Sequence, residues 1–259
     1  MILRLFNALM LAFMLAPIAL IVWMSFTPGE MFQVPLHHFS LRWYREVFVY
    51  PGFVNAFFLS ARLAAAAGAI AVSLSFIAAY ALARGAMPGK AIFEGLFMSP
   101  LIVPAIVFGI AMLQFSNTLG LYNSFLSLVV AHAAVVTPYA LRTIYANLRS
   151  VPMEVEWAAM NLGARRATVL LRIVLPLCAR GMVAAFLFCF LISFSEVTVT
   201  LFMTGPDYQT LPVRIYNYLA DQVDPTVAAI SALLIALSFA LALFLAQLGG
   251  LRDLRRARP

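Results

Sequence analysis

The stretch Met153-Glu-Val-Glu-Trp-Ala-Ala-Met-Asn-Leu-Gly163, followed by Ala-Arg-Arg-Ala-Thr-Val-Leu-Leu-Arg-Ile173-Val-Leu-Pro176, is the most informative in this chain. Residues 153–162 read as a short helix, and Gly163 ends it, because glycine adopts the left-handed conformation that closes a helix without steric cost. A second helical stretch, Arg165 to Leu175, runs to Pro176. The whole is a polar helix-turn-helix set between two long apolar runs. A short exposed helix in such a place suits docking into a groove on a partner; a surface-lying connector is the plainer alternative.

The apolar runs on either side explain why it stands out. The chain has 259 residues, 64% hydrophobic and 10% charged, with a mean hydropathy of +0.97. A soluble domain carries about 45–50% apolar and about 25% charged residues. The excess here has no aqueous surface to cover it, so lipid is the solvent. A bilayer crossing takes about 20 apolar residues. Six runs qualify: Leu5–Phe26, Ala56–Ala83, Ala91–Phe115, Ser124–Tyr145, Cys178–Met203 and Thr226–Gly249. The fold expected is therefore an all-α integral membrane protein with six transmembrane helices. Its divisions are a first span (1–26), read as a retained signal anchor rather than a cleaved leader, a loop (27–55) with a short amphipathic helix near Leu41–Phe48, a five-helix core (56–249) that includes the loop 146–177, and a basic tail (250–259). Pro100 and Pro104 are expected to kink the third span.

Basic residues orient the chain. With the N-terminus inside, 13 of the 17 Lys and Arg residues fall on inner segments, among them Arg84, Lys90, Arg165, Arg166 and the tail residues Arg252, Arg255, Arg256 and Arg258. Both termini and the 146–177 loop are then cytoplasmic. The net charge of +7 follows from this asymmetry, and without aromatic interleaving it does not indicate nucleic acid.

Catalytic signals are absent. Gly85-Ala-Met-Pro-Gly89-Lys90-Ala91 has one residue too few for a phosphate loop, and Ala91 stands where Ser or Thr would hold magnesium. His37, His38 and His132 lack metal-ligand spacing; the first two read as a solvated pair and His132 as a packed or hydrogen-bonded residue in span four. Cys178 and Cys189 are 11 residues apart on one helix, about 16 Å, beyond disulfide reach. An intramembrane enzyme would need paired catalytic groups, and none is seen.

The 156–176 stretch resembles the EAA loop of ABC importer permeases. Ala158, Ala159, Gly163, Ile173, Leu175 and Pro176 match at the family's spacing; Trp157 stands where the family has Glu, and Glu156 lies one residue earlier. Other segments, including Ala79–Arg84, Pro100–Pro104, Ser193–Val197 and Thr210–Tyr216, are similar to the spermidine/putrescine, PotC-like branch. The resemblance implies the type I importer (MetI-like) fold. It implies a second permease subunit, a cytoplasmic ATPase dimer that carries ATP and magnesium, an extracytoplasmic solute-binding protein, and a place in the bacterial inner membrane. No cofactor is expected on this chain. The coupling residues are then Glu156, Trp157, Ala158, Ala159, Gly163, Ile173 and Pro176.

Glu196 is the candidate for the substrate pathway. A carboxylate in the membrane costs about 2.5–3.5 kcal/mol at mid-span on insertion scales, so it faces a cavity or a partner. It is expected either to meet an amine in transit or to pair with Arg62 or with a residue of the partner subunit. Trp23, near the outer end of span one, lines the pathway or anchors the helix at the interface. Asp207, Asp221 and Asp224 either guide a cation or are simply solvated. The cargo expected is a polyamine; an amino-acid derivative, opine, phosphonate or ferric iron is the alternative within the same role. A stand-alone secondary transporter would show a repeat of its first half, which this sequence does not.

Overall fold

A computed structural model describes residues 2–30, 38–85, 88–222 and 224–248. His37 and the tail from 250 onward, with its four arginines, lie outside the described residues.

Among the described residues, five helices are long and apolar enough to cross a membrane. They are α1 (Ile2–Met24), α3 (Phe53–Arg84), α6 (Phe125–Arg149), α12 (Thr226–Leu248), and a continuous helix from Arg166 to Phe194. The last consists of α8 (Arg166–Val169), a π-helical stretch over Leu170–Val174, and α9 (Leu175–Phe194). Span five was expected to begin at Cys178 and reach Met203; it begins 12 residues earlier and stops at Phe194. The π-stretch falls immediately before Pro176, whose ring has no N–H and crowds the carbonyl four residues back. Widening the turn lets the helix run through the proline instead of starting at it.

Span three departs further from expectation. It is not a kinked rod but two helices, α4 (Lys90–Ile102) and α5 (Ala105–Thr118), meeting at 105°. Each is about 20 Å long, too short to cross alone, so the pair makes one broken span. The two prolines act differently. Pro100 remains within α4, and the Ser99 hydroxyl donates to the Leu96 carbonyl at 2.7 Å, the carbonyl that Pro100 cannot serve. Pro104 lies at the break itself and precedes α5.

The core is α3, α6 and α9. Small residues on α3 (Ala64, Ala67, Ala71 and Ala79) are fully buried and let the backbones approach. Close packing drives helix association where lipid offers no hydrophobic gain. At Gly68 an added Cβ would lie 3.3 Å from the Phe186 ring. By contrast, α1 has no buried residue over Leu3–Met24; this helix packs along α12.

Short helices cap one face: α2 (Arg42–Val49) and α11 (Leu211–Asp221). The expected amphipathic helix is α2, with Trp43 buried and its indole N–H donating to the Thr27 carbonyl at 2.8 Å. Helix α11 was not expected. The Leu211 N–H donates to the buried Ser60 hydroxyl at 2.8 Å, which fixes its start against α3. Tyr218 donates to Asp224 at 2.6 Å. Burial, helped by this hydrogen bond, pushes the Tyr218 phenol up to about 12, so the bond keeps its proton at neutral pH.

Contacts between connecting segments sort them into two groups. Arg214 donates to the Pro51 carbonyl at 3.0 Å, and Asn123 donates to Asp207 at 2.6 Å. These bonds gather the segments near residues 51, 123 and 207–214 on one face. On the opposite face, Arg84 reaches Glu156, and the Lys90 ammonium lies 5.8 Å from the Tyr145 ring centre. This is the alternation that a six-crossing chain requires.

Candidate functional site

The helix-turn-helix read from the sequence is present. Helix α7 (Met153–Asn161) ends in a Schellman turn: Ala164 N–H donates to Ala159 at 3.0 Å, Gly163 N–H donates to Met160 at 2.9 Å, and Gly163 has φ of +90°. Both hydrogen bonds require the left-handed residue at 163. Ala159, Met160, Ala164 and Ile173 pack against the core formed by α3, α6 and α9. The other side of α7 is open. Trp157 is 51% exposed, and Val155, Ala158 and Leu162 are exposed beside it. The helix therefore presents a mixed outer face at the end of the bundle, with Glu154 and Asn161 exposed among these apolar side chains. Pro176 is exposed at the start of α9.

Glu156 lies on the inner side, 4% exposed. Arg84, at the end of α3, donates through Nε to its Oε1 at 2.8 Å, and the Tyr80 hydroxyl donates to Oε2 at 3.1 Å. The same guanidinium donates to the Val151 carbonyl at 2.7 Å and the Leu148 carbonyl at 3.3 Å. Both carboxylate oxygens and three guanidinium bonds are used. Sequence reading grouped Glu156 with the residues facing a partner, but the helical turn points it into its own chain and leaves Trp157 outside. Arg84 and Tyr80 also belong to this site, which their sequence does not announce beyond the family-like Ala79–Arg84 segment.

The second cluster surrounds Glu196. The chain breaks between α9 and α10 (Thr198–Met203), and Glu196 sits in that break. Its Oε1 accepts from the Val199 N–H at 2.6 Å, which caps α10. The break between α4 and α5 lies opposite. Pro100–Ala105, Phe108, Tyr139 and Glu196 line a cavity of about 410 Å³ between them. Because Pro104 has no N–H, the Pro100 carbonyl lacks the donor a continuing helix would give it. The cavity thus gathers an anionic carboxylate, an aromatic ring and broken backbone. Among the described residues no Lys or Arg lies within 4.0 Å of Glu196; the ion pairs found are Arg42–Glu30 and Arg84–Glu156. The alternative pairing with Arg62 is not formed.

Behind this cavity, His132 is fully buried, with Nδ1 2.8 Å from the Ser193 hydroxyl and Nε2 2.9 Å from the Thr200 hydroxyl. It is the hydrogen-bonded residue expected, and it ties α6 to both sides of the α9–α10 break. Gly109 brings α5 against α10, where a Cβ would lie 3.2 Å from the Val199 Cα. Trp23 is elsewhere. It packs edge-to-face on Phe39, with ring centres 5.7 Å apart, next to Phe26 and Tyr44, and it is not among the cavity residues. Asp207 and Asp224 are engaged by Asn123 and Tyr218, whereas Asp221 is exposed.

Residues 73–249 match the model of the binding-protein-dependent transport system inner membrane component family. The chain belongs to this family. It is a multi-pass inner-membrane permease of an ABC importer, a transport subunit rather than an enzyme. This permease is 31% identical over 230 residues to the spermidine/putrescine transport system permease protein PotC of Haemophilus influenzae, covering 89% of each chain. It is 29% identical to the putrescine transport system permease protein PotI of Escherichia coli, covering 95% of this chain and 92% of that one. Its fold is similar to a chain from the crystal structure of a bacterial ABC transporter involved in the import of the acidic polysaccharide alginate, with a TM-score of 0.63 at 17% identity over 96% of both chains. A chain of the MetNI methionine ABC transporter aligns with a TM-score of 0.60 at 15% identity, over 80% of this chain and 96% of that one. The permease thus has the type I, MetI-like fold expected.

Proposed function

We propose that this permease forms half of the translocation pathway for a small cationic solute, a polyamine of the spermidine or putrescine kind. The observation that carries this reading is the Glu196 carboxylate, held in a cavity with no basic residue beside it among the described residues. An anionic cargo would meet repulsion there, while an ammonium group would be attracted by the carboxylate and by the ring of Tyr139. The names of the PotC and PotI relatives point to the same cargo.

The other half of the pathway belongs to a second permease subunit, in a heterodimer. A dimer of cytoplasmic ATPases, which holds the ATP and magnesium, docks on the outer face of α7. Glu156, Trp157, Ala158, Ala159, Gly163, Ile173 and Pro176 form or support that dock. An extracytoplasmic binding protein delivers substrate to the face carrying α2 and α11. The face carrying α7, and with it both termini, is cytoplasmic, in accord with the distribution of Lys and Arg. Coupling requires that α7 fit the closed ATPase arrangement in only one membrane conformation.

The test is uptake of labelled putrescine or spermidine by proteoliposomes holding the assembled complex, with the binding protein and ATP supplied. Glu196→Gln should lose uptake while insertion persists. Unchanged polyamine uptake by that variant, or uptake of an anionic solute instead, would overturn the substrate reading. Transport by the purified chain without an ATPase would overturn the coupling reading.

A further inference from the structure

Helix α7 has little of its own to hold it. It has nine residues, no side-chain cap at its start, and an outer face left open. Two side chains of α3, Arg84 and Tyr80, fix it to the membrane bundle by polar contact. Arg84, whose side chain is 11% exposed, joins four places through its guanidinium: α3, from which it comes; the Leu148 carbonyl near the end of α6; the Val151 carbonyl in the following turn; and Glu156 within α7. Tyr80, one helical turn before Arg84, holds the second carboxylate oxygen. Arginine suits this task because its planar fork serves several acceptors at once in a fixed geometry.

We infer that Arg84, Tyr80 and Glu156 form a buried clamp that passes displacement of α7 directly to α3, making Arg84 and Tyr80 positioning residues for transport. The clamp points a force on α7 along α3, the longest helix of the bundle at 32 residues. The chain connection alone points elsewhere. Through Gly163 and the Schellman turn, α7 leads to α8 and α9, and the π-stretch over Leu170–Val174 interrupts the regular ladder on that route. Apolar packing of Ala159 and Met160 holds α7 against the bundle but can slide; a multidentate ion pair with fixed geometry cannot slide without breaking. Two elements therefore receive the motion, and the polar route is the stiff one.

The inference rests on the reading that α7 is the ATPase dock, and the experiment separates the two. A cysteine placed at exposed Ala158 is cross-linked to the ATPase in the assembled complex. Uptake and binding-protein-stimulated ATP hydrolysis are then measured for Glu156→Gln, Tyr80→Phe and Arg84→Lys. The cross-link is expected in every variant, which shows that the complex assembles and α7 remains docked. Glu156→Gln should lose stimulation at least tenfold, and Arg84→Lys, which keeps the charge but not the fork, should lose several-fold. Tyr80→Phe, the mildest change, should lower transported substrate per ATP hydrolysed by about twofold. A role confined to folding would not move that ratio. The exchanged pair Arg84→Glu with Glu156→Arg should not rescue, because the carbonyls of Leu148 and Val151 would then face a carboxylate. A cross-link with undiminished stimulation in Glu156→Gln overturns the clamp alone, as does rescue by the exchanged pair. Absence of the cross-link in the unmodified clamp overturns the docking reading beneath it.

Discussion

Glu156 and Glu196 are the same residue type in the same bundle, treated in opposite ways. Glu156 has both oxygens occupied by Arg84 and Tyr80, and almost no surface. Glu196 spends one oxygen on the Val199 N–H and turns toward a cavity with no cation within 4.0 Å among the described residues. A neutralised carboxylate is a mechanical part, since its interaction is used up within the chain. A carboxylate left without a counterion keeps its attraction for something that arrives. Removing a partner from the first site and removing charge from the second should therefore damage different properties.

Arg84→Met sharpens this contrast most. It leaves Glu156 charged and buried without its counterion, with only the Tyr80 hydroxyl still donating to it, a change that costs about 3–5 kcal/mol, so melting of the detergent-solubilised complex should fall well below that of the unmodified protein. The double variant Arg84→Met with Glu156→Met should recover most of that stability, because a buried pair replaced by apolar groups of similar size is often neutral, yet it should not recover uptake. Next in size is Glu196→Gln. A hydrogen bond to a charged group is worth about 1.5–3 kcal/mol, so polyamine uptake should fall about 10- to 150-fold in a concentration-dependent assay, with melting nearly unchanged. Gly163→Ala comes third. An alanine finds open space there but must adopt φ near +90°, at about 1 kcal/mol; hydrogen exchange at Ala164 should quicken while uptake drops modestly. The smallest effect is expected at Gly109→Ala. Its Cβ needs a shift of only a few tenths of an ångström from Phe202 and Val199, which should alter uptake about twofold by nudging α10 and the carboxylate that caps it. A large loss of stability in Glu196→Gln, or a negligible one in Arg84→Met, would collapse the contrast between the two glutamates.

How much of this was readable beforehand depends on the range of the physics involved. The spans were legible because lipid imposes a local rule, a run of about 20 apolar residues, and α3, α6 and α12 fall within a turn or so of where that rule places them. Helix α7 and its stop at Gly163 were legible for the same reason, since a Schellman turn is written in adjacent residues. The break at Val103–Pro104 was only half legible. Proline announces a disturbance, but whether the outcome is a kink or a 105° corner depends on what packs around it, here Gly109 against α10. Likewise Pro176 reads as a helix start and proves to be the interior of a longer helix, because the π-stretch absorbs it. The direction of Glu156 was hidden altogether: its partner stands 72 residues earlier, and nothing local distinguishes a glutamate that reaches inward from one that reaches out. Helix α11 was concealed by the loop-like run Thr204-Gly-Pro-Asp-Tyr-Gln-Thr210 that precedes it, and its anchor on Ser60 is 151 residues distant.

The solitary exposure of α1 bears on how the molecule is made. Its companion within the chain is α12, about two hundred residues later. During synthesis α1 enters the bilayer long before the surface it rests on exists. It must persist in the interval as a lone helix, and its almost wholly apolar sequence suits it to wait in lipid with no protein neighbour. Closing the bundle is then a late event in biogenesis, and loss of α12 should strand a well-inserted but unassociated first helix.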